Sequence, residues 1–350
     1  MKSTSKQTPM AILGAVRTPF CKAGTSLAEQ SAVQLGVAAV RECIARLALP
    51  PAEIEEVILG NVSSPADAAN IARVVALQAG LPHDRIAHTV NRNCASGMES
   101  LIQAWQVLRE GRAGCIVAGG TESMSAIPLL VRRDTAALLQ QLSRSRSIIQ
   151  RLKVLSQFRP RHLRPIPAVL LGLTDPTCGL NMGETAERLA VEFQITREAQ
   201  DQFALESHRR ACAAQASCFL SGEILSCNGR DGEINRDNGP RPEQSMQQLA
   251  RLKPVFAEDG TVTAGNSCPL TDGAAAMVVT LPDHPLAQER EPLGYITGYA
   301  VAGCDPRRMG LGPVFSTARL LQQTGMAMSD FDLVELNEAF AAQVLACQAA

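Results

Sequence analysis

Aromatic residues are scarce in this chain of 350 residues, at 3% of the sequence. Because aromatic side chains form the platforms on which single-stranded nucleic acids stack their bases, this scarcity argues against such a binder. An excess of charge of one sign is also lacking, since the formal net charge is -1. A near-neutral balance gives no reason to expect a polyanionic partner. We therefore expect no nucleic acid among the partners of this protein.

Long apolar runs and paired cysteines are missing as well. No stretch approaches the ~18 consecutive apolar residues of a membrane-spanning helix, and the opening sequence MKSTSKQTPM has no apolar run typical of a signal peptide. The eleven cysteines are irregularly spaced, with no CxxC pair. This spacing argues against a zinc site and against a disulfide framework. The sequence predicts a cytoplasmic enzyme with reduced cysteines and no metal.

Short apolar runs alternate with helical patterns in residues 1–121. The runs at 10–14, 56–60 and 115–120 predict strands, and the apolar stripe at 98–110 predicts a helix. A capping-box pattern at 26–29 predicts the start of another helix. This alternation favours an α/β domain with a mostly parallel sheet. Gly119 and Gly120 lack the GxGxxG spacing of a phosphate loop, so we expect a tight turn after the strand.

The pattern changes after residue 121 and changes back near residue 254. Residues 122–253 contain a basic stretch, a long helix predicted at 197–219 and a loop-rich segment, which together indicate an inserted domain. The α/β pattern then returns, and DLVELNE at 332–338 resembles EEVILGN at 55–61, which predicts a second strand of the same kind. The sequence thus predicts three domains: 1–121, 122–253 and 254–350.

Cys94 is the strongest candidate for chemistry. It lies in VNRNCASGMES (90–100), where a predicted strand gives way to a helix. The positive end of a helix favours a thiolate, and the backbone N–H of the cysteine can stabilise an oxyanion. The small residues Ala95, Ser96 and Gly97 leave room for a substrate. Packing is the alternative, because a lone cysteine among small residues more often has a structural role.

Several further motifs accompany NRNCASG at 91–97. They are AVRTPF (15–20), AGGTESMS (118–125), NMGETAE (181–187), TREAQDQFALESH (196–208), TAGNSCPLTDGAAA (263–276), MGLGP (309–313) and LNEAFAAQ (336–343). Together they resemble the motifs of thiolases, enzymes that cleave or form 3-ketoacyl-CoA thioesters, in the same order. LKVLSQFRPRHLRPIP at 152–167 resembles the insertion in the thiolase subunit of membrane-associated fatty-acid oxidation complexes.

This resemblance implies an αβαβα layered fold with two similar halves, and ping-pong acyl transfer between acyl-CoA and CoA in β-oxidation. It implies that Cys94 is the acylated nucleophile and that Asn337 positions a water in an oxyanion hole. Met182, Ala264 and Cys268 fall where the family lines its acyl and pantetheine tunnel, although apolar core is an equally physical explanation. Coenzyme A would be a substrate, with no separate cofactor. The resemblance also implies a homodimer or tetramer, or a partner subunit of an oxidation complex.

The sequence departs from the thiolase pattern in several places. Cys268 stands where relatives often have serine or threonine, and Asn181 stands where short-chain thiolases often have histidine. The GHP and CxGGG motifs that supply a general base and a second acid/base are absent, and none of the five histidines lies in such a motif. We therefore expect the second half to be incomplete and full turnover to be lost, although slow acylation of Cys94 could survive.

Three alternatives remain open at this point. The enzyme could instead condense acetyl-CoA to acetoacetyl-CoA. The chain could also be a non-catalytic binder of CoA or lipid that pairs with a partner subunit. The basic stretch could be an ordinary solvated surface, or it could rest on anionic lipid as a basic amphipathic segment does.

Overall fold

The computed structural model describes residues 8–350. Most of the opening stretch in which the sequence predicts no signal peptide, residues 1–7, lies outside the described residues. None of the helices in 8–350 is long and apolar enough to span a bilayer. In the same range, no three His, Cys, Asp or Glu side chains group together as possible metal ligands.

The secondary structure alternates strands and helices in chain order. The strands are β1 (Met10–Arg17), β2 (Cys21–Lys22), β3 (Glu56–Gly60), β4 (Ile86–Val90), β5 (Cys115–Ser123), β6 (Leu129–Leu130), β7 (Ile166–Pro167), β8 (Cys227–Gly229), β9 (Gly232–Ile234), β10 (Thr271–Thr280) and β11 (Gly294–Ile296). The α-helices are α1 (Ala32–Arg46), α2 (Ile71–Gln78), α3 (Ser96–Arg109), α4 (Arg133–Arg144), α5 (Ile148–Leu155), α6 (Ala168–Gly172), α7 (Met182–Glu192), α8 (Arg197–Ala216), α9 (Met246–Ala250), α10 (Pro285–Gln288), α11 (Gly312–Thr324) and α12 (Ala341–Ala349). Short 3₁₀ helices span Pro51–Glu53, Met124–Ala126, Pro160–Leu163, Pro306–Leu311 and Met328–Asp330.

The main sheet has the strand order β11-β1-β10-β5-β3-β4, and β2 pairs with β10. β3 is parallel to β4 and β5, whereas β10 is antiparallel to β1, β2 and β5, and β11 is antiparallel to β1. The strands of the first 121 residues therefore all run one way, as their alternation with helices suggested. The prediction of a mostly parallel sheet is nevertheless wrong, because β10 enters between β1 and β5 from the distant segment 271–280 and opposes both.

Helices cover both faces of this sheet. α1 and α2 pack on one face, where the side chains of Val57, Leu59 and Val117 are buried. α3 packs on the other face against Ile58 and Ile116, because successive residues of a strand point to opposite sides. Apolar strands buried on both faces explain why the strands show continuous apolar runs rather than alternation.

A smaller core joins α7 and α12 to the segment around residue 262. Ala186 and Ala190 of α7 pack with Val262 and Ala342, and the rings of Phe256 and Phe340 meet edge to face at 5.9 Å between centroids. This core holds the beginning of α12 close to the loop that precedes β10.

The start of α1 corrects one prediction. The helix begins at Ala32 and not at the pattern 26–29, which forms turns. Ser31 is the N-cap, accepting a hydrogen bond from the Gln34 backbone, while the Gln34 side chain accepts one from Ser31 N–H. Glutamine closes this box as well as glutamate does, so the pattern was present five residues downstream. The helix predicted from Thr196 is confirmed, with Thr196 as the N-cap of α8.

The strand predicted at 332–336 is not formed. Residues 333–338 have no regular secondary structure, and Leu333 and Val334 are exposed. Local apolarity favours a strand only where a neighbouring strand completes its hydrogen bonds, and none lies beside this segment within residues 8–350. The likeness to 55–61 therefore does not extend to the structure.

The described chain divides into two compact units. Residues 127–182, which include α4, α5, α6 and the β6–β7 pair, form one unit, and the remaining described residues form the other. The small unit buries Leu138, Val154 and His162 between its helices. The three-domain division at residues 121 and 253 stays a prediction.

Candidate active site

Cys94 lies in a tight turn between β4 and α3, as its sequence context predicts, and it is exposed. Asn93 adopts a left-handed conformation with φ of 47°, which asparagine tolerates better than most residues. Ser96 fixes the turn: its Oγ accepts a hydrogen bond from Arg92 N–H at 2.8 Å and donates one to the Asn93 carbonyl at 2.6 Å. The thiol is thus presented to solvent by a hydrogen-bonded turn directly before the first turn of α3.

The small residues around Cys94 serve close packing of backbones as well as access. A Cβ on Gly60, the last residue of β3, would lie 2.4 Å from the Ser96 carbonyl carbon and 2.7 Å from Gly97 N. A Cβ on Gly120 would approach the Gly97 Cα to 3.5 Å. The absence of side chains at the ends of these strands therefore lets the sheet touch the beginning of α3.

Gly119 and Gly120 lie inside β5 and do not form the predicted turn. β5 continues to Ser123, and a Cβ on Gly119 would lie 2.0 Å from the Ala275 carbonyl oxygen of β10. Glycine is required at position 119 because the β10 backbone leaves no space for a side chain, which a sequence pattern does not reveal.

An ion pair links the turn to α3. Arg92 Nε donates to Glu99 Oε2 at 2.7 Å, and Gln103 donates to the other oxygen at 2.8 Å. The hydrogen bond from Arg92 lowers the pKa of the buried Glu99 carboxyl, more than burial raises it. Both partners are charged at neutral pH, so the pair holds the turn against the helix.

Cys268 lies near Cys94. Although Cys268 is exposed as a residue, partial burial of its thiol raises the pKa, and the nearby Cys94 raises it further. The backbone N–H of Cys268 donates to the Ala339 carbonyl at 2.9 Å. Cys94 thus lies within electrostatic range of Cys268, and a backbone hydrogen bond joins Cys268 to Ala339, two residues after Asn337.

Asn337 and Cys268 line the same cavity, with a volume of about 310 Å³. Its other side is formed by α8, which contributes Ser207 and His208. Glu338, beside Asn337, accepts a hydrogen bond from Ser207 Oγ at 2.6 Å. Two sequence-predicted residues that are 69 positions apart thus share one polar pocket.

Ala264 and Met182 are placed differently. Ala264 is exposed in the loop before β10, one residue after the buried Thr263. Met182 is the first residue of α7 and its N–H donates to the Leu173 carbonyl at 3.0 Å. The tunnel-lining roles implied for both residues stay predictions, as do the roles of Cys94, Asn337 and Cys268.

Ser207 and His208 were not singled out from the sequence. Burial lowers the pKa of His208, and the charge of Arg241 lowers it further against the opposing effect of Glu338. The His208 Nδ1 accepts a hydrogen bond from Arg241 N–H at 3.3 Å, so the neutral ring carries its proton on Nε2. Both residues lie in the motif TREAQDQFALESH, which predicts the long helix and contributes to the thiolase resemblance but does not single out either side chain.

Comparison with known proteins identifies the family to which this chain is similar. The model "Thiolase, N-terminal domain" matches residues 10–282, and "Thiolase, C-terminal domain" matches residues 290–350. A curated 3-ketoacyl-CoA thiolase from Aeromonas salmonicida is 36% identical over an alignment of 351 residues, which covers 99% of this chain and 80% of that protein.

Solved structures agree with this assignment. The Bacillus anthracis acetyl-CoA acetyltransferase superposes with a TM-score of 0.87 at 36% identity, covering 97% of this chain and 82% of that one. Human mitochondrial 3-ketoacyl-CoA thiolase in complex with CoA superposes with a TM-score of 0.86 at 34% identity, covering 97% and 82%. The predicted fold class is thereby confirmed.

Proposed function

The chain belongs to the thiolase family of acyltransferases, and from this premise we propose that it is a 3-ketoacyl-CoA thiolase of fatty-acid β-oxidation. Coenzyme A is a substrate in this chemistry, and no separate cofactor takes part. The observation that carries the proposal is the exposed Cys94 thiol on the turn before α3, close to Cys268. The backbone N–H of Cys268 in turn donates a hydrogen bond to the carbonyl of Ala339, two residues after Asn337.

Cys94 is the nucleophile in the proposed mechanism. Its thiolate attacks the 3-keto carbon of the substrate, a new C–S bond forms, and the bond between C2 and C3 breaks. The electron pair passes to C2, which takes up a proton as acetyl-CoA leaves. The thiolate of a second CoA then attacks the acyl-enzyme, the C–S bond to Cys94 breaks, and the chain leaves as a shortened acyl-CoA. Splitting one difficult step into two is the advantage of covalent catalysis.

The developing oxyanion needs donors in place before the reaction. The backbone N–H of Cys94, at the positive end of α3, is one candidate. Asn337 is proposed to position a water that serves the thioester oxygen of the substrate, from the cavity that Asn337 shares with Cys268. Met182 and Ala264 are proposed to contact the acyl and pantetheine parts of the substrate.

Acylation of Cys94 tests this proposal directly. The purified chain is mixed with acetyl-CoA, and mass spectrometry follows transfer of one acetyl group to the protein. We expect an adduct on Cys94 that disappears in Cys94→Ser and persists in Cys218→Ser, which removes another exposed cysteine. An adduct that survives Cys94→Ser, or a wild-type chain that forms none, would refute the proposal.

The condensing reaction is the second enzymatic candidate, favoured by the similarity to the Bacillus anthracis acetyl-CoA acetyltransferase. Thiolysis rates on acetoacetyl-CoA and on a long-chain 3-ketoacyl-CoA separate the two, because a degradative enzyme accepts the longer chain. Calorimetry with CoA distinguishes a non-catalytic binder, which would bind CoA without acylation or thiolysis.

The small unit is proposed to contact anionic membranes. Residues 127–182 contain nine arginine and lysine residues and two aspartates, a net charge of +7 in a chain whose total is -1. α5 exposes Ile148 and Ile149 by 76% and 80% beside Arg151 and Lys153. Apolar and basic side chains exposed together on one short helix are typical of segments that lie in the headgroup region of a bilayer.

Flotation with vesicles tests the membrane contact. We expect binding to vesicles that contain phosphatidylserine and none to pure phosphatidylcholine. The double variant Ile148→Glu/Ile149→Glu should abolish it, whereas Phe219→Glu, which changes an equally exposed apolar residue outside the unit, should not. Absence of binding by the wild-type chain would remove the hypothesis.

The assembly and location of the chain are proposals of the same kind. We propose a homodimer or tetramer in the cytoplasm, with a second subunit of a fatty-acid oxidation complex as a further partner. β4 is the last strand of the sheet, with no further strand beside it within residues 8–350, which is consistent with association through an edge strand. Light scattering after size-exclusion chromatography would measure the oligomeric state.

A further inference from the structure

Asn337 lies in a segment with few attachments. Residues 333–338 lack regular secondary structure, and across the described range 8–350 no hydrogen bond joins residues 332–337 to other residues. The first side-chain tether is the bond from Ser207 Oγ to Glu338 Oε2 at 2.6 Å. After Glu338 the chain is held by backbone hydrogen bonds, from Cys268 N–H to the Ala339 carbonyl and from Ala341 N–H to the Asn266 carbonyl, both at 2.9 Å.

The helix that supplies Ser207 is itself firmly fixed. Asp201 of α8 is buried, pairs with Arg197 at 2.8 Å and accepts a hydrogen bond from Asn266 Nδ2 at 2.9 Å. Arg197 also donates to the Leu249 carbonyl at 2.7 Å. α8 thus holds the Cys268 loop through Asp201 and the Asn337 segment through Ser207, from one rigid element.

We propose that Ser207 is a positioning residue for Asn337, acting through the carboxylate of Glu338. This inference rests on the proposed function, in which Asn337 organises one oxyanion hole. In the proposed mechanism Ser207 is assigned no contact with the reacting atoms, and its hydroxyl, which lines the same cavity, is bonded to Glu338. Its hydroxyl fixes the residue that follows Asn337, so that the amide side chain keeps its place relative to Cys268 and Cys94.

Such a role predicts a loss in rate rather than in substrate affinity. An oxyanion hole acts when charge develops in the transition state, so misplacing it lowers the maximal rate with little change in half-saturation. A displacement of ~1 Å at a remote support can cost up to ~10²-fold in rate. For a single lost hydrogen bond we expect about tenfold.

The first measurement is the acylation rate of Cys94 by acetyl-CoA over a range of concentrations, with the full chain. We expect Ser207→Ala to lower the maximal rate about tenfold, Ser207→Thr to restore it, and Ser217→Ala to leave it unchanged. Ser217 is the matched control, because among the described residues 8–350 its Oγ bonds only to the Ala214 carbonyl at the end of the same helix. In an Asn337→Ala background, Ser207→Ala should have no further effect, since the two residues act as a unit.

The second measurement is hydrogen exchange of the peptide that contains residues 331–340, which needs no activity. We expect faster exchange there in Ser207→Ala than in the wild type or in Ser217→Ala. If the exchange rate of this peptide is the same in Ser207→Ala as in the wild type, the positioning role is overturned, whether or not the chain acylates. The role is also overturned if Ser207→Ala lowers the acylation rate equally in the wild-type and Asn337→Ala backgrounds. Faster exchange in a chain that does not acylate supports the tether and counts against the proposed function instead.

Discussion

Replacing Gly60 with alanine probes the contact between β3 and the helix that follows Cys94. The added Cβ would lie 2.4 Å from the Ser96 carbonyl carbon and 2.5 Å from its oxygen, whereas ordinary van der Waals contact begins at 3.4 Å. Both obstructing atoms belong to the backbone, so no side-chain rotation relieves the clash. The beginning of α3 must move by about 1 Å, which is the difference between these distances.

The expected effects follow from this displacement. Overpacking a close contact typically costs about 1–3 kcal/mol, and a clash with backbone belongs in the upper part of that range, at ~2–3 kcal/mol. Since Ser96 also fixes the turn of Cys94 through its hydroxyl, the displacement reaches the thiol. We expect the acylation rate to fall by up to ~10²-fold, the loss that a misplacement of ~1 Å can produce.

Denaturant unfolding and the acylation assay measure the two effects separately. Gly303→Ala is the matched control, because no atom lies within 4 Å of a Cβ at that position. Gly120→Ala should fall between the two in stability, since its nearest obstacle is the Gly60 carbonyl oxygen at 3.3 Å. If Gly60→Ala is as stable and as reactive as Gly303→Ala, the reasoning about this contact is wrong.

Three further variants test other parts of the structure. Ser31→Ala should lower the free energy of unfolding by about 1 kcal/mol through loss of the N-cap. The effect should be larger than that of Ser26→Ala, the variant that the sequence pattern alone would rank first. Equal effects of the two variants would contradict the observed cap. Asp201→Ala should cost ~2–3 kcal/mol because it removes the carboxylate partner of Arg197 Nε and one of the two acceptors of Asn266 Nδ2. The exposed Gln202→Ala on the same helix should cost little in the same unfolding experiment. The pKa of Glu99 is lowered from its ordinary value of 4.5, so its pair with Arg92 stabilises the fold above that pH and loses this contribution as pH falls through the lowered value. Unfolding measured across pH should therefore show a gap between the wild type and Arg92→Ala that closes on acidification, and a gap independent of pH would refute this account.

Elements with a local cause could be predicted from the amino-acid sequence alone. Apolar runs of five or six residues predicted the buried strands β1, β3 and β5, and the apolar stripe predicted α3. The position of Cys94 between a strand and a helix followed from the residues on either side of it. The thiolase resemblance rested on short motifs of consecutive residues, which can be read without knowledge of the fold, and the family matches confirm it.

Contacts between distant segments were decided only by the tertiary structure. β10, which lies about 150 residues after β5 in the chain, inserts between β1 and β5 in the sheet. Ser207 forms a hydrogen bond with Glu338, which is 131 residues away in the sequence. The segment 332–336 has the local character of a strand but no strand beside it within residues 8–350, and Gly60 and Gly119 are required by backbone from other elements. A local pattern describes what a segment favours on its own, whereas hydrogen-bond partners and steric limits are set by whichever segments the folded chain brings alongside it.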